Sequence, residues 1–208
     1  MLPHDSTVFV VDDHGGIRKS LRFLIESAGL QTEGYASAEE FLGNYQPFRV
    51  GCLVLDVQMP GMTGLQLLEE LAEHGDYRPA VVITGHPDVT TAVRAMKAGA
   101  VDFLPKPFDD EDLLERVQQC IELDAQWRQW RAEAIEVVKR MSALTPRERE
   151  VMDHVVAGHH TKEIAANLRL RPSTVEHHRH NLMRKMEARS SVDLTRMASL
   201  CQKLRGTP

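Results

Sequence analysis

The sequence is poor in cysteine: Cys52, Cys120 and Cys201 are the only three, odd in number, widely spaced and without a C-x-x-C pair. Neither a disulfide framework nor a zinc knuckle follows from that pattern, and a reducing cytoplasm is the simplest compartment. Long apolar runs are missing too. Nothing approaches the roughly 18 consecutive apolar residues of a membrane-spanning helix. The longest runs, Val8–Val11 and Cys52–Leu55, have the length of strands. The opening Met-Leu-Pro-His-Asp lacks a basic stretch followed by an apolar one, so no secretory leader and no membrane partner are expected. Proline and glycine are absent from Glu111 until Pro146, which leaves room for one long helix.

What is present fits a folded chain of two small domains. The 208 residues are 42% hydrophobic and 26% charged, close to the globular average and remote from disordered or collagen-like compositions. Charge divides the chain. Residues 1–140 hold 13 Lys and Arg against 23 Asp and Glu, whereas residues 141–208 hold 12 against 7. The acidic front and basic tail point to separate duties, with the tail as the candidate for a polyanion.

Residues 7–110 alternate short β-branched runs with helical patterns. Thr7–Val11, Gln31–Tyr35, Cys52–Leu55, Ala80–Thr84 and Val101–Leu104 read as strands. Between them lie the stripe Ile17, Leu21, Leu24, Ala28, a capping box Ser37-x-x-Glu40, the stripe Leu65, Leu68, Leu71, a helix from about Asp88 to Ala98, and another from about Asp109. Five βα units predict a doubly wound parallel sheet, whose ligands sit beyond the carboxyl ends of the strands. Polar residues stand where the runs stop: Asp12 and Asp13 after the first, Asp56 after the third, Thr84 on the fourth, Lys106 after the fifth. Singly, each has a bland reading as a turn residue, a capping hydroxyl or a solvated charge; their joint placement carries the argument. Clustered carboxylates are best kept ionised by a hard divalent cation, Mg²⁺ foremost, and a lysine and a hydroxyl beside it suit the oxygens of a transferring phosphoryl group.

The ordered motifs Val-Asp-Asp, Leu-Asp-x-x-Met-Pro-Gly-Met-x-Gly, Ile-Thr-Gly-His and Lys-Pro-Phe make residues 6–122 resemble a two-component receiver domain, and in particular those of FixJ-type response regulators. The resemblance implies a flavodoxin-like five-stranded sheet with Asp56 as phosphoacceptor. Asp12, Asp13, Asp56 and the main-chain carbonyl of Gln58 would hold Mg²⁺, Thr84 and Lys106 would bind phosphoryl oxygens, and Phe103 would be the switch aromatic. The partner would be a sensor histidine kinase. His14 and Gly15-Gly16 after the acidic pair are less usual for the family.

The tail, residues 144–204, reads as four helices. Thr145 caps the first with Pro146 and Glu148 behind it, Thr161 caps Lys162–Leu168, Ser173 caps a third helix carrying Val175, Leu182 and Met186, and Ser191–Leu204 is the fourth. Two short helices joined by a tight turn form a helix-turn-helix, the second being the recognition helix. The runs Leu-Thr-x-Arg-Glu-x-Glu-Val, Lys-Glu-Ile-Ala, Ser-Thr-Val-Glu-x-His-Arg and Met-x-Lys-Met resemble a LuxR-type DNA-binding domain, here residues 143–208. That resemblance turns Glu176, His177, His180 and Asn181 towards the major groove and puts Lys162, Thr174, Arg179 and Lys185 near phosphates. Glu176 can accept from cytosine and Asn181 can pair with adenine. His159, His160, His177, His178 and His180 also crowd within 22 residues, and His177 and His180 share a helix face that zinc could use. No His-Glu-x-x-His or cysteine partner accompanies them.

Between the domains, residues 123–142 form a helical linker. With Cys120, the residues Leu123, Trp127, Trp130, Ala134, Val137 and Met141 follow a 3-4-3-4-3-4 spacing, the seam of a parallel coiled coil; the competing reading packs the stripe back on its own domains. The whole is therefore expected to be an α/β receiver joined by a long helix to an all-α four-helix domain: a homodimeric, phosphorylation-switched transcription factor on paired DNA half-sites, not an enzyme, with RNA polymerase as a further partner. Two rival readings are a phosphorylation-independent DNA-binding regulator whose receiver is an interaction module, and a phosphoryl sink or adaptor.

Overall fold

The computed structural model describes residues 6–47 and 49–206, with side chains through Cys201; the opening pentapeptide read for a leader, and residues 207–208 of the tail domain, lie outside the described residues. The chain divides into two compact units between Trp127 and Arg128. The first is built from β1 (Thr7–Val11), α1 (Gly15–Ser27), β2 (Gln31–Tyr35), α2 (Ala38–Gly43), β3 (Gly51–Asp56), α3 (Gly64–Glu73), β4 (Ala80–Thr84), α4 (Val89–Lys97), β5 (Asp102–Pro105) and the start of α5 (Asp110–Ser142).

All strand pairs are parallel and the order is β2-β1-β3-β4-β5. That order reverses between β1 and β3, so their carboxyl ends flank the crevice where doubly wound sheets bind ligands. The central strands are buried on both faces, and the period of two sorts their side chains. Phe9, Val11, Leu53, Leu55 and Val82 meet α2 and α3 residues such as Phe41, Leu65 and Leu71; Val8, Val10, Cys52, Val54, Val81 and Ile83 meet Leu21, Ile25, Leu113, Val117 and Ile121 of α1 and α5. Helix α4 adds only Ala95 to the core and leaves Val89, Val93 and Met96 exposed. All three cysteines are free and buried; burial pushes the Cys120 thiol up to about 12 and that of Cys52 well above its ordinary value.

Two local expectations need correction. On α1 the buried pair is Leu21 and Ile25, while Ala28 is exposed beyond the last turn. Ser37 does accept from the Glu40 N–H, but Glu40 turns its carboxylate to the N–H of Ala36 rather than of Ser37, so the capping box is only half formed. A complete box opens α3 instead, between Thr63 and Gln66.

The second unit contains the end of α5, then α6 (Pro146–Val156), α7 (Thr161–Leu168), α8 (Pro172–Met186) and α9 (Ser191–Gly206). Thr145 and Glu148 form the expected reciprocal cap of α6. The next two caps shift. Thr161 is the first helical residue of α7 behind His160, whose N–H donates to Glu163 Oε2. Arg171 takes the cap position of α8 because Pro172, with fixed φ and no N–H to satisfy, occupies the first helical position; Ser173 falls inside. The core gathers Val151, Met152, Val155, Ile164, Ala165, Val175, Leu182, Met186, Leu194 and Met197.

The proposed seam does not stay free. Cys120 belongs to the sheet-side core, Val137 is buried in the core of the second unit with Met141 packed against it, and Ala134 is buried. Helix α5 supplies apolar faces to two cores, so of the seam residues Leu123, Trp127, Trp130 and Met141 retain partial exposure; Trp127 is 43% exposed.

Candidate functional site

The carboxyl ends of β1, β3, β4 and β5 bring the expected residues of the first unit together. Asp12, just past β1, is fully buried, and Asp56, the last residue of β3, is nearly so. Lys106, just past β5, reaches both: its Nζ lies 2.8 Å from Asp12 Oδ2 and 2.7 Å from Asp56 Oδ2. Burial works against the ammonium charge, yet the hydrogen bonds to Asp12 and Asp56 prevail and hold the Lys106 pKa above the ordinary lysine value. The remaining carboxylate oxygens take main-chain donors. The His14 N–H donates to Asp12 Oδ1 at 2.8 Å and the Gln58 N–H to Asp56 Oδ1 at 3.2 Å.

Thr84 ends β4 fully buried; its hydroxyl accepts from the His86 N–H at 3.2 Å and its carbonyl accepts from the Lys106 N–H at 2.7 Å. Phe103 on β5 is half-buried against the core of the α2–α3 face.

Three carboxylates, Asp12, Asp13 and Asp56, face one ammonium, which leaves an excess of negative charge. One ligand atom from each of Asp12, Asp13, His14 and Asp56 lies within 4.8 Å of the others. Opposed ligands of an octahedral Mg²⁺ stand about 4.2 Å apart, so the acidic rim fits a hard divalent cation in size and charge. His14 adds itself to this cluster, its Nδ1 2.8 Å from Asp13 Oδ1.

Several residues here had no role in the sequence reading. Arg18, one turn into α1, donates to the Asp12 carbonyl at 2.6 Å. Glu39 accepts from the Met62 N–H at 2.8 Å and so ties down the loop after β3. Gly64 lies against the phosphoacceptor candidate: a Cβ there would stand 2.2 Å from the Asp56 carbonyl oxygen. The second glycine of the Met-Pro-Gly-Met-x-Gly run was the available signal.

In the second unit, α7 and α8 form the helix-turn-helix pair, turning at Arg169 in the left-handed region with φ 54°. Glu176, His177 and His180 are exposed on α8, and Asn181 is half-exposed one turn after His177, its Nδ2 3.1 Å from His177 Nε2. Arg184 continues that face as an exposed cation missed in the sequence. Lys162 is exposed on α7, Thr174 is half-buried, and Arg179 reaches back to the Thr161 hydroxyl at 3.5 Å.

Lys185 departs from expectation. Its Nζ lies 2.7 Å from Glu148 Oε2 and 3.2 Å from the Ala143 carbonyl, so it ties α8 to the start of α6 instead of standing free for a phosphate. Burial opposes charge on Glu148, but Lys185 and the capping contacts with Thr145 hold its pKa down at about 2.

A doubly wound domain with this acidic rim, followed by a helix-turn-helix domain, defines a two-domain response regulator. Comparison with known proteins agrees. The response regulator receiver domain family matches residues 8–118, and the luxR family of bacterial regulatory proteins matches residues 142–198. The chain is 44% identical over 199 residues to the transcriptional regulatory protein FixJ of Azorhizobium caulinodans, covering 96% of this chain and 94% of that one. It is 38% identical over 197 residues to the response regulator TmoT of Ectopseudomonas mendocina, covering 95% and 90%. Among solved structures, the response regulator StyR matches with a TM-score of 0.77 at 43% identity over 94% of this chain and 98% of that one; full-length FixJ of B. japonicum matches with 0.58 at 38% identity over 95% and 98%. The chain belongs to the FixJ-type response regulators, transcription regulators that join a receiver to a LuxR-type DNA-binding domain. Members of this family regulate transcription rather than turn over a substrate. Among the described residues, no helix is long and apolar enough to cross a membrane.

Proposed function

We propose that Asp56 accepts a phosphoryl group from a phosphohistidine on a sensor histidine kinase, and that the modified receiver favours a cytoplasmic dimer that binds paired DNA half-sites. The observation that carries this reading is the Lys106 ammonium within 2.8 Å of both Asp12 and Asp56 at the switch point of the sheet. In the transfer, the N–P bond of the donor breaks with its electron pair left on the imidazole nitrogen, and an Asp56 carboxylate oxygen forms the new O–P bond. Mg²⁺ held by Asp12, Asp13, Asp56 and the Gln58 carbonyl supplies charge neutralisation for this step when bound. Lys106 then exchanges its contact with Asp56 for a phosphoryl oxygen. The Thr84 hydroxyl, now accepting from the His86 N–H, donates to another.

Drawing Thr84 inward frees space beside β4 for the Phe103 ring and biases the surface of α4, which is weakly anchored through Ala95 alone. Dimerisation uses Leu123, Trp127 and Trp130 on α5. In the rest of the seam Ala134 and Val137 are already buried, with Met141 packed against the core of the second unit. On DNA, Glu176, His177, His180 and Asn181 read bases while Lys162, Thr174 and Arg179 contact phosphates, and RNA polymerase is the further partner of the bound dimer.

The test is intact-mass measurement after a small phosphodonor and Mg²⁺, on wild type and Asp56→Asn, with dimer content scored on the same samples. Mass gain in wild type alone with more dimer supports the whole reading. Gain without dimer assigns the switch to another output. No gain in a folded, DNA-binding sample refutes the phosphorylation switch and favours a phosphorylation-independent regulator.

A further inference from the structure

Ten histidines occur in the chain, and the structure pairs two that the sequence pattern did not connect. His154 and His159 bring their Nδ1 atoms to 3.1 Å, with ring centroids 5.1 Å apart and planes inclined at 58°. The cause is the backbone. Helix α6 ends in a Schellman motif: the His159 N–H donates to the His154 carbonyl and the Gly158 N–H to the Val155 carbonyl, both at 3.0 Å, with Gly158 at φ 85°. That motif sets the third-last helical residue beside the second residue past the cap, a pair that is commonly apolar. Here both members are imidazoles, half-buried and open to solvent on one side. By contrast, His177 takes Asn181 as its neighbour, and among the described residues no group of three ligands forms on the face it shares with His180.

Two nitrogens bound to one ion at about 2.0–2.1 Å, with an angle between square and tetrahedral, stand about 2.9–3.4 Å apart. The observed separation falls within that interval. We propose that His154 and His159 form a bidentate site for a borderline divalent transition-metal ion, of which Zn²⁺ is the probe, bound through both Nδ1 atoms with water in the remaining positions. In the metal-free pair one Nδ1–H donates to the other Nδ1. Binding moves that proton to Nε2 of the same ring by exchange with water, so two neutral imidazoles lose no net proton. The hard Mg²⁺ ion prefers the carboxylate rim of the receiver, which separates the two sites by ligand chemistry. An ion here would staple the end of α6 to the residue that leads into the first helix of the helix-turn-helix.

The test titrates the full-length chain with Zn²⁺ in saturating Mg²⁺, by calorimetry and by the histidine ring resonances. The expected result is one site at which the His154 and His159 resonances shift together. His154→Gln and His159→Gln should each weaken it by more than the roughly 10–100-fold that loss of an outer partner of a metal ligand costs, and the double variant should add little. His159→Leu restores the apolar contact usual for the motif, so it should keep the helical content and melting temperature while abolishing the site. Zn²⁺ binding that survives His159→Leu, or His154 and His159 resonances that do not move, would overturn the proposal and leave the pair as a hydrogen bond.

Discussion

Replacing Lys185 with Met removes the ammonium that faces Glu148 while keeping an unbranched apolar stem on α8. The Glu148 side chain is 5% exposed and that of Lys185 29%. Although burial opposes charge on Glu148, Lys185 and Thr145 together bring its pKa from 4.5 to about 2. At about 1.36 kcal/mol per pH unit, that preference for the ionised form amounts to roughly 3 kcal/mol in the folded chain, divided between the two partners. Leaving a buried carboxylate unpaired costs about 3–5 kcal/mol in fully buried pairs. Lys185 is partly solvated and the Thr145 contacts remain, so Lys185→Met should destabilise the second unit by about 2–3 kcal/mol.

The two units need not unfold together, so the assay is hydrogen exchange of the α6 and α8 amides against denaturant, read by mass spectrometry. The pH dependence has a definite sign. Because folding lowers the Glu148 pKa, its contribution is complete above 4.5 and is lost as pH falls through about 2. Wild type and variant should therefore converge in acid. A difference below about 0.5 kcal/mol near neutral pH, the value of an exposed pair, would refute the reasoning; so would curves that stay parallel down to the acid limit.

Gly64→Ala places a methyl 2.2 Å from the Asp56 carbonyl oxygen, so the backbone beneath the phosphoacceptor must yield. A loss of about 1–3 kcal/mol and reduced phosphoryl incorporation are expected, and an unchanged melting curve would contradict this. Lys106→Met strips Asp12 and Asp56 of their common counter-ion. The melting temperature in chelator should fall, and Mg²⁺ should raise it by more than in wild type; an equal Mg²⁺ effect in both proteins would count against the charge argument. Arg169→Gly relieves a non-glycine residue at φ 54°. The second unit should gain about 1 kcal/mol and melt several degrees higher, unless calorimetry shows that the left-handed turn costs nothing.

The receiver was legible because its signals are local. Short unbroken apolar runs such as Cys52–Leu55, bounded by turn residues, have the length and pattern of strands buried on both faces, and polar residues at their carboxyl ends share one rim once the strands are parallel. The carboxylates, Thr84 and Lys106 could therefore be named before any distance was known. Caps were less secure: Thr161 and Ser173 have suitable side chains, yet His160 and Arg171 take those cap positions, while Ser37 keeps its own but loses the reciprocal half of its box to the Ala36 N–H. The heptad spacing of α5 left its covering open for a related reason. A 3-4 spacing marks an apolar stripe without saying whether a second chain or the chain's own cores cover it, and Val137 and Met141 are covered by their own domain.

By itself, then, the sequence determined the order of elements, the division into an acidic and a basic half, and the residue types at the strand ends, because periodicity and turn chemistry act over a few residues. Only the tertiary structure decided which groups meet across long stretches of chain. Lys106 lies 94 residues from Asp12 and Lys185 lies 37 from Glu148, and both ammonium groups end at buried carboxylates. The sequence marks a lysine as a cation. Packing determines whether that charge is left for a phosphate or is already neutralised inside the fold, because a buried carboxylate without a counter-ion costs more than the fold can absorb.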